Sequence, residues 1–129
     1  MIKLERYGDS FYAVFRIFVG LLFMQHGLQK LFGLIGGNAA SAFSLMWFAG
    51  LIEFAGGLLI AVGLFTRIVS FIAGVEMLVA YFKAHFPQGW VPIMNRGELA
   101  LLFFAAFLVL MSQGAKKWSF DSICSRNNQ

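Results

Sequence analysis

The chain has 129 residues, of which 60% are hydrophobic and only 12% charged. A soluble domain carries about 25% charged residues, so this chain cannot clothe a soluble surface. Its length suits about four membrane spans and leaves no room for a soluble catalytic domain. In that setting the net charge of +4 belongs to topology-setting flanks and anionic lipid rather than to nucleic acid.

Residues 1–10 are short and polar. The first apolar run, about 11–33, is predicted to be a membrane helix. It is longer than the apolar core of a signal peptide and holds Arg16, His26 and Lys30. It is therefore expected to be retained, although Ala40-Ser41-Ala42 has the small-x-small form of a cleavage site. At about 100° per residue, Arg16, Gly20, Phe23, His26, Gly27 and Lys30 share one sector of the helix. Ionisable groups in hydrocarbon cost from about 2.5–3.5 kcal/mol upward. This basic face is thus expected to look inward and meet acids, which the chain supplies as Glu53, Glu76 and Glu98.

Gly33, Gly36 and Gly37 end the first helix, and Trp47 suits an interfacial anchor. The second span, about 46–65, carries Glu53 on a face shared with Gly50, Gly57, Ile60 and Leu64. Gly50, Gly56 and Gly57, with Gly20 and Gly27, are the predicted helix-packing positions. Thr66 is the expected N-cap of the third span, about 68–86. That span holds Glu76, with Lys83 two turns on, placed to snorkel. Pro87, Trp90 and Pro92 break the next loop. The fourth span runs from about 98 to 113. Asn95-Arg96-Gly97-Glu98 fits an N-cap followed by an acid at its third position. The tail, 114–129, is basic and is expected to lie on the membrane through Trp118 and Phe120.

The predicted fold is all-α: one integral membrane domain over 1–129, built as an antiparallel four-helix bundle. With both termini cytoplasmic, that side holds Lys3, Arg6, Arg67, Lys116, Lys117 and Arg126. The other side holds Lys30, Lys83 and Arg96, so the positive-inside rule predicts N-in/C-in. Helix rise then sorts the buried charges into an outer group of His26, Lys30, Glu53 and Glu98 and an inner pair, Arg16 and Glu76. An Arg16–Glu53 pairing stays open. His26 with Glu53 is the sharpest pair: it either takes up and releases a proton or is one satisfied hydrogen bond in a polar core. Lys30 and Lys83 are expected mainly to snorkel.

Much other chemistry has no residues here. No phosphate-binding glycine loop, dinucleotide fingerprint or nucleophile elbow occurs. His26 and His85 stand alone on different helices, so no metal site is expected. The one cysteine, Cys124, cannot form an internal disulfide, and a thiol relay would need a second protein or a second copy.

A set of these residues resembles the DoxX family of small bacterial membrane proteins. It begins with Arg16, Gly20, Phe23, His26-Gly27, Lys30 and Gly33. It continues with Glu53, Gly56-Gly57, Gly63 and Thr66-Arg67, and closes with Glu98, Gly114 and Ser119-Phe120-Asp121. The resemblance implies a multi-pass, four-helix protein of the bacterial inner membrane. Relatives are linked to thiosulfate:quinone oxidoreductase, as a membrane subunit. Others are linked to an oxidative-stress complex with superoxide dismutase and a sulfurtransferase, and to quinone or catechol stress.

Three functions compete. In the first, the chain is a non-autonomous subunit of a quinone-linked oxidoreductase. A quinone would bind between helices with no covalent cofactor, and a soluble redox partner would supply electrons. His26 and Glu53 would handle protons, while Arg16, Lys30, Glu76 and Glu98 would contact the ligand. In the second, the bundle is a non-catalytic scaffold that anchors soluble partners through its basic tail. In the third, it conducts protons or a small solute along the Arg16–His26 face. The glycine-rich faces also suit a homo-oligomer.

Overall fold

The computed structural model describes residues 3–129, whose regular secondary structure is all helical, with no strand among them. A short 3₁₀ turn, Leu4–Tyr7, leads into α1 (Gly8–Phe32). Then follow α2 (Leu45–Val62), α3 (Thr66–Ala80), a single helical turn α4 (Pro92–Asn95), α5 (Glu98–Gln113) and α6 (Phe120–Asn127). A π-helical turn, Tyr81–His85, and a 3₁₀ turn, Phe86–Gln88, prolong α3. Three stretches are long and apolar enough to cross a membrane: Leu4–Phe32, Leu45–Val62 and Thr66–Gln88. The chain is therefore a membrane protein. Helix α5 is as apolar but shorter, 16 residues, or about 24 Å at 1.5 Å per residue.

The pairing of helices follows from where the chain is small. A Cβ on Gly20 would lie 2.6 Å from the Gly57 carbonyl, and one on Gly57 would lie 2.5 Å from the Gly20 carbonyl. Gly27 sits equally tightly on the backbone of Phe54. As numbers rise along α1 they fall along α2, so the two run antiparallel with their backbones in contact. Gly50 packs on Lys30 and Leu31, completing this seam. Gly56 is different: it faces Val69 of α3 at an ordinary 3.4 Å. Helix α3 lies against α5, with Gly74 over Phe107. Phe23 of α1 joins the halves, meeting Phe103 and Phe107 of α5 at ring-centroid distances of 5.4 and 4.8 Å. Phe23, Ile60, Phe107 and Leu110 are buried almost completely. Outward residues such as Phe18, Phe71 and Leu102 stay exposed, as a surface facing lipid requires.

Two expected caps are different in the structure. Thr66 is the first residue of α3, and the cap is Phe65 in the left-handed region, φ 52°. The capping carboxylate comes from the tail instead. Asp121 Oδ1 accepts from the Phe65 N–H at 2.9 Å, and Oδ2 accepts from the Thr66 N–H at 3.1 Å. A charged acceptor serves a helix N-terminus better than the Thr66 hydroxyl would. Likewise Asn95 does not cap α5, whose cap is Gly97 with no side-chain bond, and Glu98 is its first residue. The fully buried Asn95 amide donates to the Tyr81 hydroxyl and the Gly89 carbonyl and accepts from the Gly97 N–H. It thereby locks the 86–97 loop.

Candidate functional site

The predicted inner pair does not form. Arg16 is fully buried but meets carbonyls, not Glu76 or Glu53. Nε donates to Ile60 O at 3.1 Å, and Nη2 donates to Ala61 O at 3.4 Å and Trp118 O at 2.6 Å. Nη1 donates to Lys117 O at 2.8 Å and to Ala115 O. A guanidinium has five N–H donors, and here each finds a carbonyl. Ile60 and Ala61 belong to the last turn of α2, the negative end of its dipole. The charge is compensated there without an acid. The other three carbonyls belong to the tail, so one side chain closes α2 and pins residues 115–118 to it. Gly63 makes the room: it is left-handed, φ 73°, and any Cβ would run into Ser119 and stand 3.2 Å from Arg16 Cζ. Arg67 closes α5 in the same way, donating to Met111 O at 2.9 Å and Ser112 O at 2.6 Å.

The polar cluster lies further along α1. Lys30 Nζ donates to both oxygens of Glu53, at 2.5 and 2.6 Å. The Glu53 side chain is only 4% exposed and that of Lys30 25%. So Lys30, expected mainly to snorkel, is instead the partner of Glu53. His26 is not: no hydrogen bond joins the two among the described residues. Its ring stands edge-on to Phe103, centroids 5.8 Å apart, and it remains half-buried within electrostatic reach of Lys30. Glu76, expected beside Arg16, belongs with this cluster, within electrostatic reach of Glu53 and Lys30. Its Oε2 is buried with no hydrogen-bond partner. Glu98 lies exposed at the start of α5, where its charge suits the helix N-terminus. Two buried hydroxyls, Thr66 and Ser70, are also unpartnered. The structure thus pairs Lys30 with Glu53, sets Glu76 within electrostatic reach of that pair and His26 within reach of Lys30, and leaves Arg16 apart. No group of three His, Cys, Asp or Glu suited to a metal occurs among the described residues.

Three structural residues were not legible as such in the sequence. Asp121 was visible only as part of Ser119-Phe120-Asp121. Asn95 resembled a helix cap because Asn-x-Gly patterns serve caps and loop turns alike. Tyr12, whose hydroxyl donates to Gly114 O at 2.6 Å, carried no local signal.

The DoxX family sequence profile matches residues 11–86, covering α1 through the π-helical turn. An uncharacterized protein of Haemophilus influenzae is 40% identical over 129 residues, covering 95% of this chain and 96% of its own. No solved structure matches. The match thus takes in the Arg16 anchor, the Gly20–Gly57 seam and the Lys30–Glu53–Glu76 cluster: the chain belongs to the DoxX family.

Proposed function

We propose that this protein is the membrane subunit of a redox complex, and that its helices hold a quinone-type ring at the Lys30–Glu53–Glu76 cluster. The observation that carries the reading is the Glu76 oxygen, buried and unpartnered, within electrostatic reach of the Lys30–Glu53 ion pair. A buried polar atom without a partner is costly and calls for an explanation, and an intramembrane ionisable residue is by default a functional candidate. The donors and acceptors of these residues are of the kind such a ring needs. Glu76 offers a carboxyl to one ring oxygen. Lys30 uses two of three N–H donors on Glu53 and has one left for an oxygen. Phe103 and His26 offer flat neighbours. A bound quinone would supply two-electron, two-proton chemistry. The protein would orient it, exclude water, hold a proton on Glu76 or Glu53, and exchange it through half-buried His26. Arg16 and Glu98 have no contact role in this reading.

The chain is read as a single multi-pass domain of the bacterial inner membrane, four antiparallel helices with both termini cytoplasmic. The basic ends support this. Arg67 binds the end of α5, and Lys117 Nζ donates to Ser10 at 3.1 Å. These contacts gather the N-terminus, the α2–α3 turn and the tail at one end, as the charge count requires. Electrons would come from a soluble partner.

A photoreactive quinone analogue in native membranes tests the ligand. The reading expects crosslinks to α1 and α3 within a turn of Lys30 and Glu76, lost in Glu76→Leu. Labelling that is unchanged in Glu76→Leu, or confined to lipid-facing positions such as Phe71, would refute it.

A further inference from the structure

We propose that the end of the molecule formed by the N-terminal turn and the tail carries a binding groove for the phosphate headgroup of an anionic phospholipid. The groove has a volume of about 1040 Å³. It runs between Arg6–Ser10 and the segment from Lys116 to Arg126. Four cations line it: Arg6, Lys116, Lys117 and Arg126. The one acid there, Asp9, lies 3.7 Å from Lys116 and is itself exposed. The wall is a built structure rather than a loose tail, because Arg16 holds the carbonyls of Lys117 and Trp118 and Asp121 caps α3. Lys117 is also steadied over the Trp118 ring, 5.1 Å to its centroid.

The neighbours choose a lipid over a free anion. With Asp121 turned inward to α3, helix α6 presents Phe120 and Ile123 outward, each 53% exposed, and Trp118 beside them is 56% exposed. Tryptophan and exposed apolar residues next to a basic groove match the headgroup–acyl boundary. A phosphate on the cations would leave the acyl chains along this apolar rim. Basic residues near an anionic membrane surface each strengthen binding roughly fivefold.

The test uses the full chain in detergent, titrated with phosphatidylglycerol, phosphatidylcholine or inorganic phosphate and read by native mass spectrometry. The groove predicts one retained phosphatidylglycerol, in preference to phosphatidylcholine and weakened by salt. Arg6→Gln with Arg126→Gln should weaken retention roughly 25-fold, while Lys83→Gln at the other end changes nothing. Lys117→Gln, which keeps the backbone carbonyl that Arg16 needs, provides a second reading should the double variant fold poorly. Equal retention of both lipids would overturn the proposal, as would undiminished retention in the groove variants. So would inorganic phosphate binding alone as tightly as the lipid.

Discussion

Replacing Arg16 by Met keeps an apolar stem of similar length and removes all five donors. The three bonds to Ala115, Lys117 and Trp118 are charge-assisted, worth about 1.5–3 kcal/mol each, or about 5–9 kcal/mol together. Holding the six residues 114–119 in place costs about 6–12 kcal/mol of backbone entropy. What remains to hold them is the Tyr12–Gly114 bond, the two Asp121 caps, Asp121 N–H to Gly63 O at 2.9 Å and the Lys117–Ser10 bond, the exposed Lys116–Asp9 contact adding little. Five such bonds contribute about 2.5–7.5 kcal/mol, below the entropy at the middle of both ranges. Entropy therefore wins, and the tail leaves its seat. Helices α1 and α2 stay paired through their glycine seam, so release rather than global unfolding is the expected response. Limited trypsin digestion in detergent reads this directly, because Lys116 and Lys117 lie in the released segment. Cleavage there should rise roughly 100-fold or more over wild type, as cleavage tracks the population of the open form. A variant whose tail is cut within about twofold of the wild-type rate would refute the anchoring role and the arithmetic behind it.

Other perturbations separate packing from chemistry. Gly57→Ala forces a Cβ against the Gly20 carbonyl and should cost about 1–3 kcal/mol or part the helices. Gly56→Ala, with only Val69 at 3.4 Å, should be near neutral, and thermal melts of the two variants make the comparison. Lys30→Met leaves Glu53 buried without its cation and should cost about 3–5 kcal/mol. The double variant Lys30→Met with Glu53→Leu should recover most of that, a double-mutant cycle with large coupling. Asp121→Ala removes both caps of α3 and should cost about 1 kcal/mol, seen as faster amide exchange at Phe65 and Thr66.

The helices were legible because hydrocarbon imposes long apolar runs, and glycines mark where those runs turn or touch. Gly20 and Gly57 were readable as helix-packing positions because small residues let membrane helices approach closely, but that they meet each other was not. The partners of the buried charges were harder to read, for a physical reason. Sequence gives each charge a depth and a face, and electrostatics favours pairing opposites, which suggested Arg16 with Glu76. Helix ends compete for the same charges. Exposed carbonyls at the end of α2 and in the tail outnumber the two oxygens of one carboxylate, and they match the fork of a guanidinium. That preference leaves Glu76 without the arginine, and separately Lys30, rather than His26, takes both oxygens of Glu53. The tail was legible as basic and amphipathic, but its seat depends on Asp121 reaching α3, a contact 55 residues away in sequence that no local pattern encodes.

The account rests on the cluster's being a ligand site rather than a structural ion pair. The most direct test is native mass spectrometry of the protein extracted gently from its own membrane, comparing wild type with Glu76→Leu. The account predicts one quinone-sized adduct per chain, absent from Glu76→Leu while the helices remain folded. A wild-type protein that carries lipid and protein partners but no such adduct, under conditions that retain a bound phospholipid, would contradict it.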